Sequence, residues 1–280
     1  MQYIIMCGGN YPHWQKPRQL TEINGEALVE RTIRLLKECG VTDIAISTND
    51  DVFKRFGVRL LKHENDYTGI EYNNHIGLWC SAFYPTKKPA CYIFGDVFFS
   101  PEAIRTIVEY ETDDIMFFAS APPFLPPYPK PYEEPFAFKV ANQKHLREAI
   151  AEVKRIYAEG GFYREPIAWE VWNVISGGDP NRINYSSYVR INDYTCDIDE
   201  EREIFLIERI ADLGGRPMAK KAETTKTTKA KATKAKPKKQ KNELVNYKGV
   251  MYEVLERQGN RWKLTDGVIH FWVNSKDVTA

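Results

Sequence analysis

A short apolar strand, Tyr3 to Cys7, runs into Gly8-Gly9-Asn10. Cations follow at Lys16 and Arg18, before the turn Asn24-Gly25-Glu26-Ala27-Leu28. This opening constrains the chain more than any other feature. Glycine lacks Cβ, so the backbone can reverse sharply and present its N–H groups to an anion, while a nearby Arg or Lys neutralises the charge. Gly-Gly after a strand is by itself only a tight turn, but with the cations behind it the segment is a candidate phosphate loop. It contains neither Gly-x-x-x-x-Gly-Lys-Ser/Thr nor Gly-x-Gly-x-x-Gly, so it is neither a P-loop nor a dinucleotide fingerprint.

Periodicity beyond the loop predicts an α/β sheet. Glu26 to Cys39 places Ala27, Leu28, Thr32, Ile33, Leu35 and Leu36 on one stripe at helical spacing, stopped by Gly40. Ile44 to Thr48 reads as a second strand, Val52 to Phe56 as a short helix and Val58 to Leu61 as a third strand. Such alternation indicates parallel strands with right-handed crossovers. A turn over Glu64 to Ile70 and a helix over Asn73 to Tyr84 should lead into the buried strand Tyr92 to Val97. Ser100-Pro101-Glu102 carries an N-cap and a proline at the first helical position. Strands are expected at Ile115 to Ala119 and Phe136 to Val140, and helices at His145 to Ala158 and Pro166 to Ile175, where Trp169 and Trp172 suit a core or a wall. Seven prolines between Pro122 and Pro135 exclude a regular element there and suit a lid or binding loop, or a rigid surface crossing. Ligands of open α/β sheets bind at the carboxyl ends of strands, which would bring Gly8, Gly9 and Asp96 to one rim.

Composition divides the chain into residues 1–218, 219–241 and 242–280. The 280 residues, 43% apolar and 28% charged, suit a soluble catalytic domain with a small appendage. From 219 to 241 ten lysines face one acid, Glu223, for a net charge of +9. Residues 242–280 carry five charges of each sign, which leaves −8 on residues 1–218. The middle segment, rich in Ala, Thr and Lys, is expected to be a disordered, self-repelling linker, with a polyanion contact through Lys220 to Lys241 as its functional reading and a solvated spacer as its plain one. The last 39 residues alternate turn signals with four short runs rich in Val, Tyr, Trp and Phe, and look like a small all-β SH3-like barrel. Trp262, His270, Phe271 and Trp272 could line a face, yet a domain so small needs aromatics for its own core. No apolar run reaches the roughly 18 to 20 residues of a membrane span, and the sequence opens without a basic leader, so the expectation is a cytoplasmic protein. Five scattered cysteines, with no Cys-x-x-Cys, suit reduced thiols rather than zinc or disulfides.

Three motifs in order carry a family resemblance. The Cys7 to Leu28 segment, the strand end Tyr92-Ile93-Phe94-Gly95-Asp96-Val97, and Cys196-Asp197-Ile198-Asp199-Glu200-Glu201 together resemble the nucleotidyltransferase superfamily of GT-A-like, Rossmann-related fold, and are similar to sugar-phosphate nucleotidyltransferases. The resemblance implies a mixed, mostly parallel sheet flanked by helices. It also implies transfer of a nucleoside monophosphate from a nucleoside triphosphate to a phosphorylated small-molecule acceptor, with release of pyrophosphate. It assigns Cys7, Gly8, Gly9, Asn10 and Arg18 to the nucleotide, Lys16 and Arg18 to catalysis, and Asp96 and Asp197 to Mg²⁺, with Asp199 in reserve. Lys139 and Arg164 are the candidate acceptor residues. The chain departs from the pattern at Asn10, where many members have a third glycine, and at Arg18, where Pro-Lys is usual. Arg18 keeps the charge without the compactness of an ammonium, which Lys16 could supply.

Two other readings compete. A GT-A glycosyltransferase would want Asp-x-Asp at the strand end, where this chain has Gly95-Asp96-Val97-Phe98. A non-catalytic nucleotide-binding body, tethered through the SH3-like module, would bind nucleotide without turnover.

Overall fold

The first strand lies inside the sheet and is paired along both edges, which explains the burial of Tyr3, Ile4 and Ile5. The computed structural model describes residues 1–8, 14, 16–62, 79–124, 128–214, 244–247, 250–258, 261–265, 270–274, 276 and 278–279. Gly9, Asn10, the expected turn over 64–70, the first half of the expected helix over 73–84 and the lysine-rich run lie outside the described residues. The chain divides into two units, Met1–Leu213 and Gly214–Ala280.

Unit one begins with β1 (Gln2–Met6), the hairpin β2 (Glu22–Ile23) and β3 (Glu26–Ala27), α1 (Leu28–Glu38), β4 (Ile44–Ser47) and β5 (Arg59–Leu61). It continues through β6 (Ala90–Phe94), β7 (Val97–Phe98), α2 (Pro101–Glu109), β8 (Ile115–Ala119), β9 (Pro135–Val140), α3 (Gln143–Ala158), α4 (Ala168–Ile175), β10 (Val189–Arg190), β11 (Cys196–Asp197) and α5 (Glu201–Gly214). Seven strands form one sheet in the order β10-β8-β9-β6-β1-β4-β5. β9 alone runs against its neighbours, and the other pairings are parallel. The expected mixed, mostly parallel sheet flanked by helices is therefore present.

Local chemistry explains the element ends. Asn24 and Gly25 both have positive φ (51° and 80°), as the two-residue turn between β2 and β3 requires. The Ser100 side chain accepts from Ala103 N–H at 2.9 Å, capping α2 behind Pro101. The helix expected from Pro166 begins at Ala168, because the Ile167 N–H is taken by Glu170 at 2.9 Å. The described part of the expected Asn73 to Tyr84 helix is a single 3₁₀ turn, Trp79–Ala82. The described residues from Pro122 to Glu134 form neither helix nor strand, as their prolines dictate. Trp169 and Trp172 pack on Phe117 with ring centroids 5.1 and 5.6 Å away, in the core role expected for them.

Gly95 explains how β1 and β6 end together. A Cβ placed on it would lie 2.7 Å from both Cys7 Sγ and Met6 O, so only glycine lets the two strand ends approach this closely. Lys139 corrects an expectation. Its ammonium is buried in β9 and donates to the carbonyls of Ile107 (2.9 Å) and Val108 (2.8 Å) at the end of α2. Burial lowers its pKa, and the residue caps a helix instead of reaching toward an acceptor.

Unit two contains β12 (Leu244–Tyr247), β13 (Val250–Gln258), β14 (Arg261–Thr265), β15 (His270–Asn274) and β16 (Val278–Thr279). They form an antiparallel sheet in the order β15-β14-β13-β12-β16, with a register shift between Val254 and Glu256. Arg257 lies over the Trp262 ring at 4.0 Å.

Two outcomes follow for stability. Gly95→Ala is expected to cost about 1–3 kcal/mol, because the added methyl meets a backbone oxygen that has little freedom to move; an unchanged thermal midpoint would contradict the close approach. Lys139→Met should lower the urea midpoint, with about 1–3 kcal/mol lost as two helix-end carbonyls lose their donor.

Candidate active site

The carboxyl ends of β1, β4 and β6 and the start of β9 open onto a cleft of about 530 Å³. Gly8, Arg18, Asp96, Asp197 and Asp199 all line it, so residues separated by up to 191 positions in sequence share one rim. β7 and β11 make this possible. They pair antiparallel, Val97 opposite Asp197 and Phe98 opposite Cys196, and Ile198 N–H continues the ladder to Asp96 O at 3.1 Å. Beneath the pairing Ile23, Leu28, Phe98, Cys196, Ile198 and Ile207 form a separate apolar cluster that anchors the late aspartate segment to the hairpin and to α1.

Arg18 is the hinge of the charged rim. Its guanidinium is 6% exposed and donates to Asp96 Oδ2 and Asp199 Oδ1, both at 2.6 Å, and to Ile198 O at 3.2 Å. One planar fork thus ties the strand-end aspartate to the late motif. Burial raises the Asp96 pKa; the Arg18 charge opposes that rise, and Asp197 and Asp199 add to it. At Asp199 burial also acts upward, but Lys130 and Arg18 outweigh it and hold the carboxyl below its usual range.

A second cation was not singled out from the sequence. Lys130, in the proline-rich segment, reaches Asp197, Glu134 (2.6 Å), Asp199 (3.0 Å) and Glu203 (3.5 Å) with an ammonium only 4% exposed. Burial alone would lower its pKa, and the surrounding carboxylates raise it instead. Glu134 was missed as well. Its N–H donates to Ser120 Oγ at 2.8 Å, and its Oε2 accepts from the Tyr128 hydroxyl at 2.5 Å and from Asp197 N–H at 3.3 Å. Burial, followed by the neighbouring Asp197, pushes the Glu134 carboxyl up to about 10. The only sequence signal for either residue was a lysine and a glutamate four apart in a loop too proline-rich to be regular.

Glu134, Asp197 and Asp199 each offer an oxygen, all within 4.8 Å of one another, and form the described group best suited to a hard cation. Asp96 lines the same cleft but is drawn to Arg18 and does not belong to that group. Among the other expected residues, Gly8 is exposed at the cleft, whereas the Cys7 thiol is buried and the Cys7 N–H donates to Ser47 O at 2.9 Å. Burial, with the Asp96 charge, lifts the thiol pKa well above its usual value. Lys16 is exposed and is not part of the lining. Arg164 also lines the cleft, with its Nε donating to Glu170 Oε1 at 2.6 Å.

The family model described as the MobA-like NTP transferase domain matches residues 3–164, which takes in the loop, Arg18, Asp96, Lys130 and Glu134 and stops short of Asp197. No curated protein matches the sequence. Solved structures overlap the chain at low identity. One is a Bacillus anthracis protein assigned as a glucose-1-phosphate thymidylyltransferase, at 15% identity over 75% of this chain and 94% of that one, with a TM-score of 0.48. Another is the CTP:phosphocholine cytidylyltransferase of Streptococcus pneumoniae, at 16% identity, 75% and 98% coverage, and a TM-score of 0.42. The inositol-1-phosphate CTP transferase of T. maritima overlaps at 13% identity, 75% and 96% coverage, and a TM-score of 0.43. Because the family model spans more than half of its residues, this chain belongs to the MobA-like NTP transferase domain family and is an enzyme of the nucleotidyltransferase class.

Proposed function

We propose that this enzyme transfers a nucleoside monophosphate from a nucleoside triphosphate to a phosphorylated small-molecule acceptor, of the sugar-phosphate class, with Mg²⁺ as cofactor and pyrophosphate as the leaving product. One observation carries the reading: the glycine loop end, Arg18, Asp96 and the Asp197 to Asp199 segment, three motifs far apart in sequence, line a single cleft. An acceptor oxygen would attack the α-phosphorus as the bond to pyrophosphate breaks, with no covalent enzyme intermediate. Such chemistry is mainly positioning and charge neutralisation.

The carboxylates suit the cofactor. Magnesium prefers hard oxygens and few protein ligands, and Asp197 and Asp199 with Glu134 would hold it, Asp96 being the further carboxylate on the same wall. When bound, the ion would neutralise charge on the triphosphate. Gly8, with Gly9 and Asn10 after it, would bring backbone N–H groups to the phosphates, and Cys7 would support that loop from below. Arg18 would bridge and orient Asp96 and Asp199 while adding positive charge at the rim. Lys16 is exposed and outside the lining, so Arg18 is the better placed of the two expected catalytic cations. Arg164, steadied by Glu170 and also in the lining, would meet the acceptor phosphate.

The remainder of the chain is assigned on narrower grounds. We read 1–218 as the catalytic domain, 219–241 as a linker and 242–280 as an SH3-like module. The last reading is supported by a five-strand antiparallel order in which the final strand, β16, returns to pair with the first, β12. Polyanion contact by the linker rests on its net charge of +9. Among the described residues no helix is long and apolar enough to cross a membrane.

The decisive assay is pyrophosphate release with Mg²⁺, each of the four ribonucleoside triphosphates and dTTP, and a panel of sugar 1-phosphates and other phosphorylated acceptors. Asp197→Ala should reduce turnover by about two orders of magnitude or more with the fold intact by circular dichroism, since removal of a preorganised charge partner costs a few kcal/mol in the transition state. Saturable nucleotide binding without turnover on any acceptor would favour the tethered binding protein instead. For the linker, affinity of the full chain for heparin should fall by about three orders of magnitude or more between about 50 and 200 mM salt if six to ten lysines engage; a flat salt response would move the contact to the C-terminal unit.

A further inference from the structure

The cation inside the carboxylate group is the least expected feature of the cleft. A single ammonium, Lys130 Nζ, contacts four carboxylates supplied by three segments: the proline-rich loop (Glu134), the end of β11 (Asp197 and Asp199) and the first turn of α5 (Glu203). Three of them, Glu134, Asp197 and Asp199, are the residues whose oxygens converge within 4.8 Å. Lys130 therefore satisfies the same oxygens that a divalent cation would need. Two cations so close together in a buried site repel strongly, so Lys130 and a divalent ion cannot share these oxygens in this arrangement.

The two other cations expected at the triphosphate are committed or remote. Arg18 is held by two carboxylates and a carbonyl, and its planar fork fixes it in place. Lys16 is outside the lining. Lys130 is different: it is a flexible four-carbon ammonium on Pro129-Lys130-Pro131, and the next side chain, Tyr132, lines the cleft with its ring 5.6 Å from Nζ. A short swing past that ring would carry the ammonium from the carboxylate wall into the cleft.

We propose that Lys130 is a mobile cation that exchanges partners during nucleotide loading. It occupies the oxygens of Glu134, Asp197 and Asp199 while the site is free of divalent ions, gives them up when a divalent cation binds, and then places its ammonium on the triphosphate. This rests on the nucleotidyl-transfer reading above. It makes Lys130 the compact ammonium missing from the loop, where Arg18 stands.

The test follows one side chain through three states of the full-length protein. Acylation of Lys130 by an amine-reactive ester, quantified by peptide mass spectrometry, should be slow without divalent ions, rise about tenfold or more with Mn²⁺, and become slow again when Mn²⁺ and a nucleoside triphosphate are both present. In parallel, Mn²⁺ binding followed by electron paramagnetic resonance should tighten by about tenfold or more in Lys130→Met, while nucleotide affinity measured with Mn²⁺ saturating should weaken. Lys130→Arg, which keeps the charge on a stiffer head, should restore neither property fully. Slow acylation in every state while Mn²⁺ demonstrably binds, or Lys130→Met binding Mn²⁺ and nucleotide as the parent does, overturns the exchange and leaves nucleotidyl transfer standing. If neither protein binds Mn²⁺ or nucleotide, the functional reading itself fails, and the exchange fails with it.

Discussion

The site depends on buried charges that cannot be separated cheaply. Arg18 and Lys130, both almost wholly buried, face Asp96, Asp197, Asp199 and Glu134 across distances of about one hydrogen bond. Desolvating so many ions costs several kcal/mol each, and only close pairing returns it. Removing any one partner would leave an uncompensated charge. The rim is therefore held in a specific arrangement without being a source of net stability.

The scaffold gives those charges a common address. Parallel strands deliver their carboxyl ends to one edge, so the ends of β1 and β6 meet there, and Gly95 allows them to approach within van der Waals contact. The pairing of β7 with β11 then returns the chain to the same edge after about one hundred residues. Its two-residue strands are too short to hold by hydrogen bonds alone. The apolar cluster around Phe98, Cys196 and Ile198 supplies the rest.

Much of this was legible in the residues. Helical spacing marked α1 and α3, the apolar run before Gly95-Asp96 marked β6, and Ser100-Pro101 marked the start of α2, all within a few residues of their observed ends. These are local signals, set by side-chain periodicity and backbone preference. Lys139 shows the limit of such reading. A lysine in a strand resembles a surface or ligand-facing cation in sequence, and only the placement of α2 beside β9 reveals that it closes the carbonyls of a helix end.

The sequence by itself determined the alternation of strands and helices, the glycine loop with its cations, the aspartates Asp96, Asp197 and Asp199, and the contrast between acidic residues 1–218 and basic residues 219–241. Each follows from the identity of neighbouring residues. Tertiary structure alone decided that Arg18 bridges Asp96 to Asp199, that Asp96 stands outside the carboxylate group, and that Lys130 and Glu134 stand inside it. The reason is physical: Lys130 and Glu134 sit in a proline-rich segment with no period to fix where a side chain points, so their position is set by the strand ends and the aspartates they pack against, tens of residues away in the chain.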